Sequence, residues 1–139
     1  MPVTGEDVER ILTTSKTLAV VGLSDKPDRD SHQIAGYLQQ AGYRIIPVNP
    51  RVAEALGEKA YPSLRDIPER VDVVQIFRRS QDVPPIVDEA IAIGAKVVWM
   101  QSGIVHEEAA ARAEAAGLTV VMDACMRSAH RALRASGRL

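Results

Sequence analysis

Small polar residues, glycines and cations gather behind four short apolar runs, and the first gathering has the chemistry of an anion holder. Gly22, Leu23, Ser24, Asp25 and Lys26 follow the first run, with Arg29, Ser31 and His32 a few residues on. A glycine at a strand end lets the backbone turn tightly, and a helix that starts there aims its free amides at whatever lies above, an arrangement suited to a phosphate. Lys26 and Arg29 add countercharge, and Ser24 and Ser31 offer hydroxyl donors. A solvated turn ahead of a helix is the plain alternative. Val48, Asn49, Pro50 and Arg51 close the second run, Phe77, Arg78 and Arg79 the third, and Gln101, Ser102, Gly103 and Ile104 the fourth.

The spacing speaks against a plain NAD site, which asks for two further glycines where Ser24 and Pro27 stand, and for a carboxylate at the second strand end. Arg51 there suits a nucleotide with an additional ribose phosphate, as NADP and coenzyme A have, while a surface arginine at a turn fits equally well. Phe77 offers adenine a flat face beside Arg78 and Arg79; a core phenylalanine next to two exposed arginines is the competing reading. Asp123, Cys125 and His130 invite a catalytic or metal reading that the spacing discourages. Five residues along a helix turn Cys125 and His130 away from each other, and three candidate ligands with no fourth make a poor zinc site. No catalytic residue and no metal ligand is expected.

The elements that must position these groups follow from pattern. Apolar runs at residues 17–22, 44–48, 72–77, 96–100 and 118–122 alternate with segments of helical spacing, which predicts βαβ units and a parallel sheet covered on both faces. Ile34, Leu38 and Ala41 share a helical stripe, introduced by Asp30 and Gln33 as a capping box would be. Val83, Ile86, Val87, Ala90 and Ile91 mark another helix, in which Pro84 and Pro85 fit only the first turn, with Asp82 as N-cap. Residues 107–116 form a third helix ahead of Gly117, and Thr4 and Asp7 cap a short one carrying Val8, Ile11 and Leu12. Trp99 reads as core. Residues 52–67, the least regular stretch, are expected to shape a pocket around a bend at 61–64.

With 139 residues, 46% apolar and 25% charged, the chain is expected to form one domain over 1–139. Its 17 basic and 18 acidic residues nearly cancel, which disfavours nucleic acid or an anionic membrane as partner. The single cysteine, the lack of a leader-like start and the lack of a long apolar run predict a protein of the reducing cytoplasm.

In order and spacing, AVVGLS at 19–24 with Ser31 and His32, GYRIIPVNP at 42–50, WMQSGI at 99–104, and Asp123, Cys125 and His130 resemble the stand-alone CoA-binding domain proteins. That family is related in fold to the nucleotide-binding domain of the succinyl-CoA synthetase alpha subunit. The resemblance implies a three-layer α/β/α Rossmann-like domain with five parallel strands in the order 3-2-1-4-5 and coenzyme A lying across the strand ends. It places the phosphates at Gly22, Leu23, Ser24, Asp25 and Lys26, the adenosine portion at Asn49, Pro50, Arg51, Phe77, Arg78 and Arg79, and the pantetheine arm near Gln101, Ser102, Gly103 and Ile104. Family members commonly carry arginine before the cysteine; here Ala124 stands there, and Arg127 is the candidate to replace it. The synthetase's phosphorylated histidine belongs to another domain, so no such activity comes with the likeness.

The expected function is binding of coenzyme A or an acyl-CoA by its nucleotide end, without catalysis or as a regulator. An NADP-dependent oxidoreductase and a ligand-switched interaction module are the alternatives. Cys125, on the ligand's edge of the sheet, is expected to form a mixed disulfide with coenzyme A under oxidising conditions.

Overall fold

Leu18, Ala19, Val20 and Val21 are all buried, as a strand covered on both faces requires, and they make up most of β1 (Thr17–Val21). Next in the chain come β2 (Arg44–Val48), the two-residue strands β3 (Glu54–Ala55) and β4 (Glu58–Lys59), then β5 (Val73–Ile76), β6 (Val97–Met100) and β7 (Thr119–Val121). The computed structural model describes residues 3–139. Its main sheet runs β2-β1-β5-β6-β7 with every pairing parallel, and β3 with β4 forms a separate antiparallel pair.

A single parallel bridge joins Tyr61 to Val48 on the outer side of β2, with the Tyr61 amide donating to the Pro47 carbonyl at 3.0 Å. Counted as a third strand, this bridge gives the order 3-2-1-4-5, which β7 continues as a sixth. The run at 72–77, third of the five read from the sequence, therefore stands fourth and lies against β1.

Helices α1 (Gly5–Thr14), α2 (Asp30–Gln40) and α5 (Met126–Ala135) cover one face, where Leu18, Val20, Ile45, Trp99 and Val121 meet Ile11, Leu38 and Met126. Helices α3 (Val83–Ala92) and α4 (Glu107–Ala115) cover the other, where Ala19, Ile46, Val74 and Val98 meet Val87, Ala90 and Ala113. The chain leaves β1 toward one face and β5 toward the opposite face, so the connections part above the carboxyl ends of these two neighbours. Ligands of open parallel sheets settle at such a switch point.

The helix starts are partly as expected. Thr4 and Asp7 form a reciprocal capping box, and Pro84 and Pro85 sit in the first turn of α3. In α2 the N-cap is Arg29, without a side-chain bond, and Asp30 already lies inside the helix, so the expected capping box is absent. The loop is tied by serines instead: the Ser31 hydroxyl accepts from the Ser24 amide at 3.0 Å, and the Ser24 hydroxyl accepts from the Lys26 amide at 3.1 Å. Asp82 occupies the N-cap of α3, but its carboxylate pairs with Arg79 rather than with a helix amide.

At the opposite end of the sheet, one Asp72 carboxylate oxygen accepts from the amides of Lys16 and Thr17 at 2.9 and 3.0 Å, fastening the start of β1 to that of β5. Burial works to raise this carboxyl, but the two amides, with Lys96 and Arg70 nearby, outweigh it and hold it below its ordinary value. A folded-state value below the unfolded one adds stability at neutral pH, lost as the pH falls below about 4 and through the folded value. Asp72→Ala is expected to lower stability by about 2 kcal/mol at pH 7. Urea melts should show the gap from wild type narrowing as the pH falls below about 4; a gap independent of pH would refute the account.

Candidate functional site

Three cavities lie in a row over the strand ends and share walls. The first, about 310 Å³, stands on the α3 side and is lined by Val48, Pro50, Pro62, Leu64, Ile86 and Arg78 among others. The second, about 540 Å³, lies over the switch point between Gly22, Ser24, Arg29, Ser31, Phe77 and Arg78, with Asp28 and Asp30 on its rim. The third, about 250 Å³, opens toward α5 between Ile34, Phe77, Gln101, Ser102, Cys125 and Arg127, with Asp30 and Ile104 completing it. Arg78 belongs to the first two, and Phe77 and Asp30 to the last two, so the row is one trough crossing from the α3 face to the α5 face.

Gly22 makes the middle cavity possible. Its φ is +88°, its amide donates to the Val48 carbonyl at 2.8 Å, and a Cβ there would run into the backbone oxygen of Phe77. The space a side chain would fill is held by the Arg78 guanidinium, whose Nε lies 3.3 Å from that Cβ position. Above it begins α2, whose first-turn amides at Asp30, Ser31 and His32 have no partner within the helix. Arg29 and Arg78 line this cavity together with Asp28 and Asp30, so its formal side-chain charge cancels; attraction for an anion comes from the helix end and from how the guanidiniums are placed.

Of the residues singled out from the sequence, Val48 and Pro50 meet Arg78 in the first cavity; Gly22, Ser24, Arg29 and Ser31 meet Phe77 and Arg78 in the second; Gln101, Ser102 and Ile104 meet Phe77 in the third. The others stand outside these walls. Leu23 is buried in the core and presents only its carbonyl, which accepts from the Asn49 amide group at 3.1 Å. Asn49 is occupied in that latch and in accepting from the Arg51 amide at 3.0 Å. Arg79 is spent on Asp82, and Asp25, Lys26 and Arg51 are exposed in their turns, outside the three cavities along with His32 and Gly103. Pro62, Leu64, Ile86 and Glu89 were not singled out, although the stretch 52–67 was expected to shape a pocket and supplies the first two.

The third cavity rests on a buried polar chain. Gln75, in the middle of β5, donates through its amide nitrogen to the Gln101 side-chain oxygen at 3.0 Å, and the Met126 amide donates to the same oxygen at 3.1 Å. The Gln75 oxygen itself has no partner. Trp99 is core, as expected, and its indole N–H reaches the Ala124 carbonyl at 2.8 Å. Asp123, at φ +54°, accepts from the Gly103 amide and so joins the loop after β6 to the loop after β7.

Cys125 is the N-cap of α5 and lines the third cavity. Burial works to raise its thiol, but the Ser128 amide and hydroxyl, the Arg127 amide and the Gln101 side chain prevail and hold it below its ordinary value. His130 lies elsewhere, buried against Tyr37, whose hydroxyl is 2.9 Å from Nδ1; burial, then Arg134, keep the imidazole below its ordinary value. The two residues do not form a pair. Among the described residues, no group of three or more His, Cys, Asp or Glu is placed to hold a metal ion, and no helix is long and apolar enough to cross a membrane.

A glycine turn under a helix N-terminus, at the switch point of a parallel sheet covered on both faces, defines a Rossmann-like nucleotide-binding domain. More narrowly, the chain belongs to the family described as the CoA binding domain, which matches residues 16–131. It is 48% identical over 124 residues to the uncharacterized protein YneT of Bacillus subtilis, covering 89% of this chain and 92% of that one. Over 101 residues it is 36% identical to acetate–CoA ligase (ADP-forming) II of Archaeoglobus fulgidus, a match spanning 70% of this chain but 15% of the ligase. Among solved structures, a hypothetical protein from Pyrococcus horikoshii superposes with a TM-score of 0.92 at 42% identity, covering 96% of both chains.

Proposed function

We propose that the chain binds coenzyme A or an acyl-CoA along the trough, as a binding protein without catalysis of its own. The observation that carries this is the continuity of the three cavities through Arg78, Phe77 and Asp30. An adenine suits the mostly apolar first cavity under Pro50, Leu64 and Ile86, the phosphates suit Gly22 and the start of α2, and the pantetheine arm then leads past Phe77 toward Gln101 and Cys125. Phe77, expected with the adenosine, lines only the second and third cavities and takes the pantetheine side in this reading. The NADP alternative leaned on Arg51, an exposed residue outside all three.

Calorimetry with CoA, NADP and NAD tests the reading. CoA is expected to bind tightest; tighter binding of NADP, or no binding of CoA, would overturn it. A chemical probe tests the direction of the ligand. Treated with CoA disulfide, the Cys125 thiolate should attack one sulfur, form a Cys125–CoA disulfide and release the other CoA as thiolate. Intact mass is expected to rise by one bound CoA, and Cys125→Ser to abolish the gain. An unmodified wild-type protein would mean that the thiol end lies elsewhere.

A further inference from the structure

The third cavity holds a cation with nothing to bind. Arg127, in the first turn of α5, lines it, and among the described residues its side chain has no hydrogen bond or ion pair. Its Nε is shut off from solvent and faces no acceptor. Buried donors in native proteins are nearly always paired, so an arginine left with none of its donors engaged is a cost that calls for a reason. With Nε enclosed, a ligand meets the guanidinium at its two terminal nitrogens, an end-on fork that matches the two oxygens of a carboxylate.

The rest of the wall fits a short chain ending in such a group. Ile34, Phe77 and Ile104 offer apolar surface for methylenes. Gln101 is held rigid by Gln75 and the Met126 amide, so the floor does not shift to meet a ligand. Asp30, the one acid in the lining, also lines the phosphate cavity and so marks the junction, whereas Arg127 and Cys125 line the third cavity without reaching the second. At about 250 Å³ the space is small.

We infer that this cavity takes the acyl group of a short CoA thioester that ends in a carboxylate, with Arg127 as the residue that recognises the acid. This rests on the binding of CoA along the trough, and the test separates the two. Malonyl-CoA and butyryl-CoA, of similar size but different terminal charge, are titrated into wild type, Arg127→Gln and Arg127→Lys, with free CoA as reference and melting temperatures as a fold check. Wild type is expected to favour malonyl-CoA about tenfold, as one charge-assisted fork warrants. The ratio should fall toward one in Arg127→Gln and stand between in Arg127→Lys, which keeps charge but loses the fork. If free CoA binds and wild type does not prefer malonyl-CoA, or the preference survives in Arg127→Gln, this inference is overturned while the binding of CoA stands. If CoA itself fails to bind, the underlying reading falls first. Should Arg127→Gln melt early, the wild-type ratio and Arg127→Lys still decide.

Discussion

Gly22→Ala is expected to be the most damaging single substitution in the trough, lowering stability by about 3 kcal/mol or more and abolishing the heat of CoA binding. Two costs add. A φ of +88° strains any residue with a Cβ, and that Cβ would meet the Phe77 backbone oxygen, which directly follows β5 and cannot swing aside like the tip of a side chain. Since the Phe77 amide donates to Val21 at 2.8 Å, relief would require β1 and β5 to part at the switch point. Gly94→Ala isolates the first cost. Its φ is +75°, yet nothing lies within 4 Å of an added Cβ, so a loss of about 1 kcal/mol is expected there. Thermal or urea melts of the two variants, read side by side, check the claim; equal losses would show that the Phe77 oxygen does not matter.

Arg78→Gln should have the largest effect on affinity with the fold left intact. Arg78 lines both the first and the second cavity and has no hydrogen bond or ion pair among the described residues, so its removal strands no partner. A guanidinium between an adenosine pocket and a diphosphate would make charge-assisted bonds, and losing them is expected to weaken CoA binding between tenfold and a hundredfold. The deficit should shrink as salt is raised, because the lost attraction is partly screened. An unchanged CoA affinity in a normally melting variant would remove Arg78 from the site and, with it, the link between the two cavities.

Much of the fold was legible because its signals are local. Continuous apolar runs revealed buried parallel strands, Pro84 and Pro85 located the start of α3, and the Thr4 and Asp7 pair located that of α1. Spacing alone separated Cys125 from His130. Less legible was whatever depends on contacts distant in sequence. The place of β5 beside β1 follows from an excursion of residues 49–72 past β2, which no periodicity records. Loop cations pointed to the strand ends but not to which of them line the cavities. Arg78 turned inward over Gly22 while Arg79 turned out to Asp82, and two adjacent arginines look alike until the backbone assigns them opposite sides. Glu89 was invisible for a similar reason: it sits on a helix and enters the site because the Leu64 amide, 25 positions earlier, docks on its carboxylate at 3.0 Å.

The glutamine at the heart of the sheet has a consequence for anyone hardening this scaffold. Gln75 is fully enclosed, with its oxygen unmatched, so an aliphatic replacement of similar volume is an obvious route to a higher melting temperature. The same change would unfasten Gln101 from beneath and let the loop after β6 wander. Robustness and a shaped recess draw on one residue here, and selection for heat resistance alone would drift toward a sturdier molecule with a blurred grip.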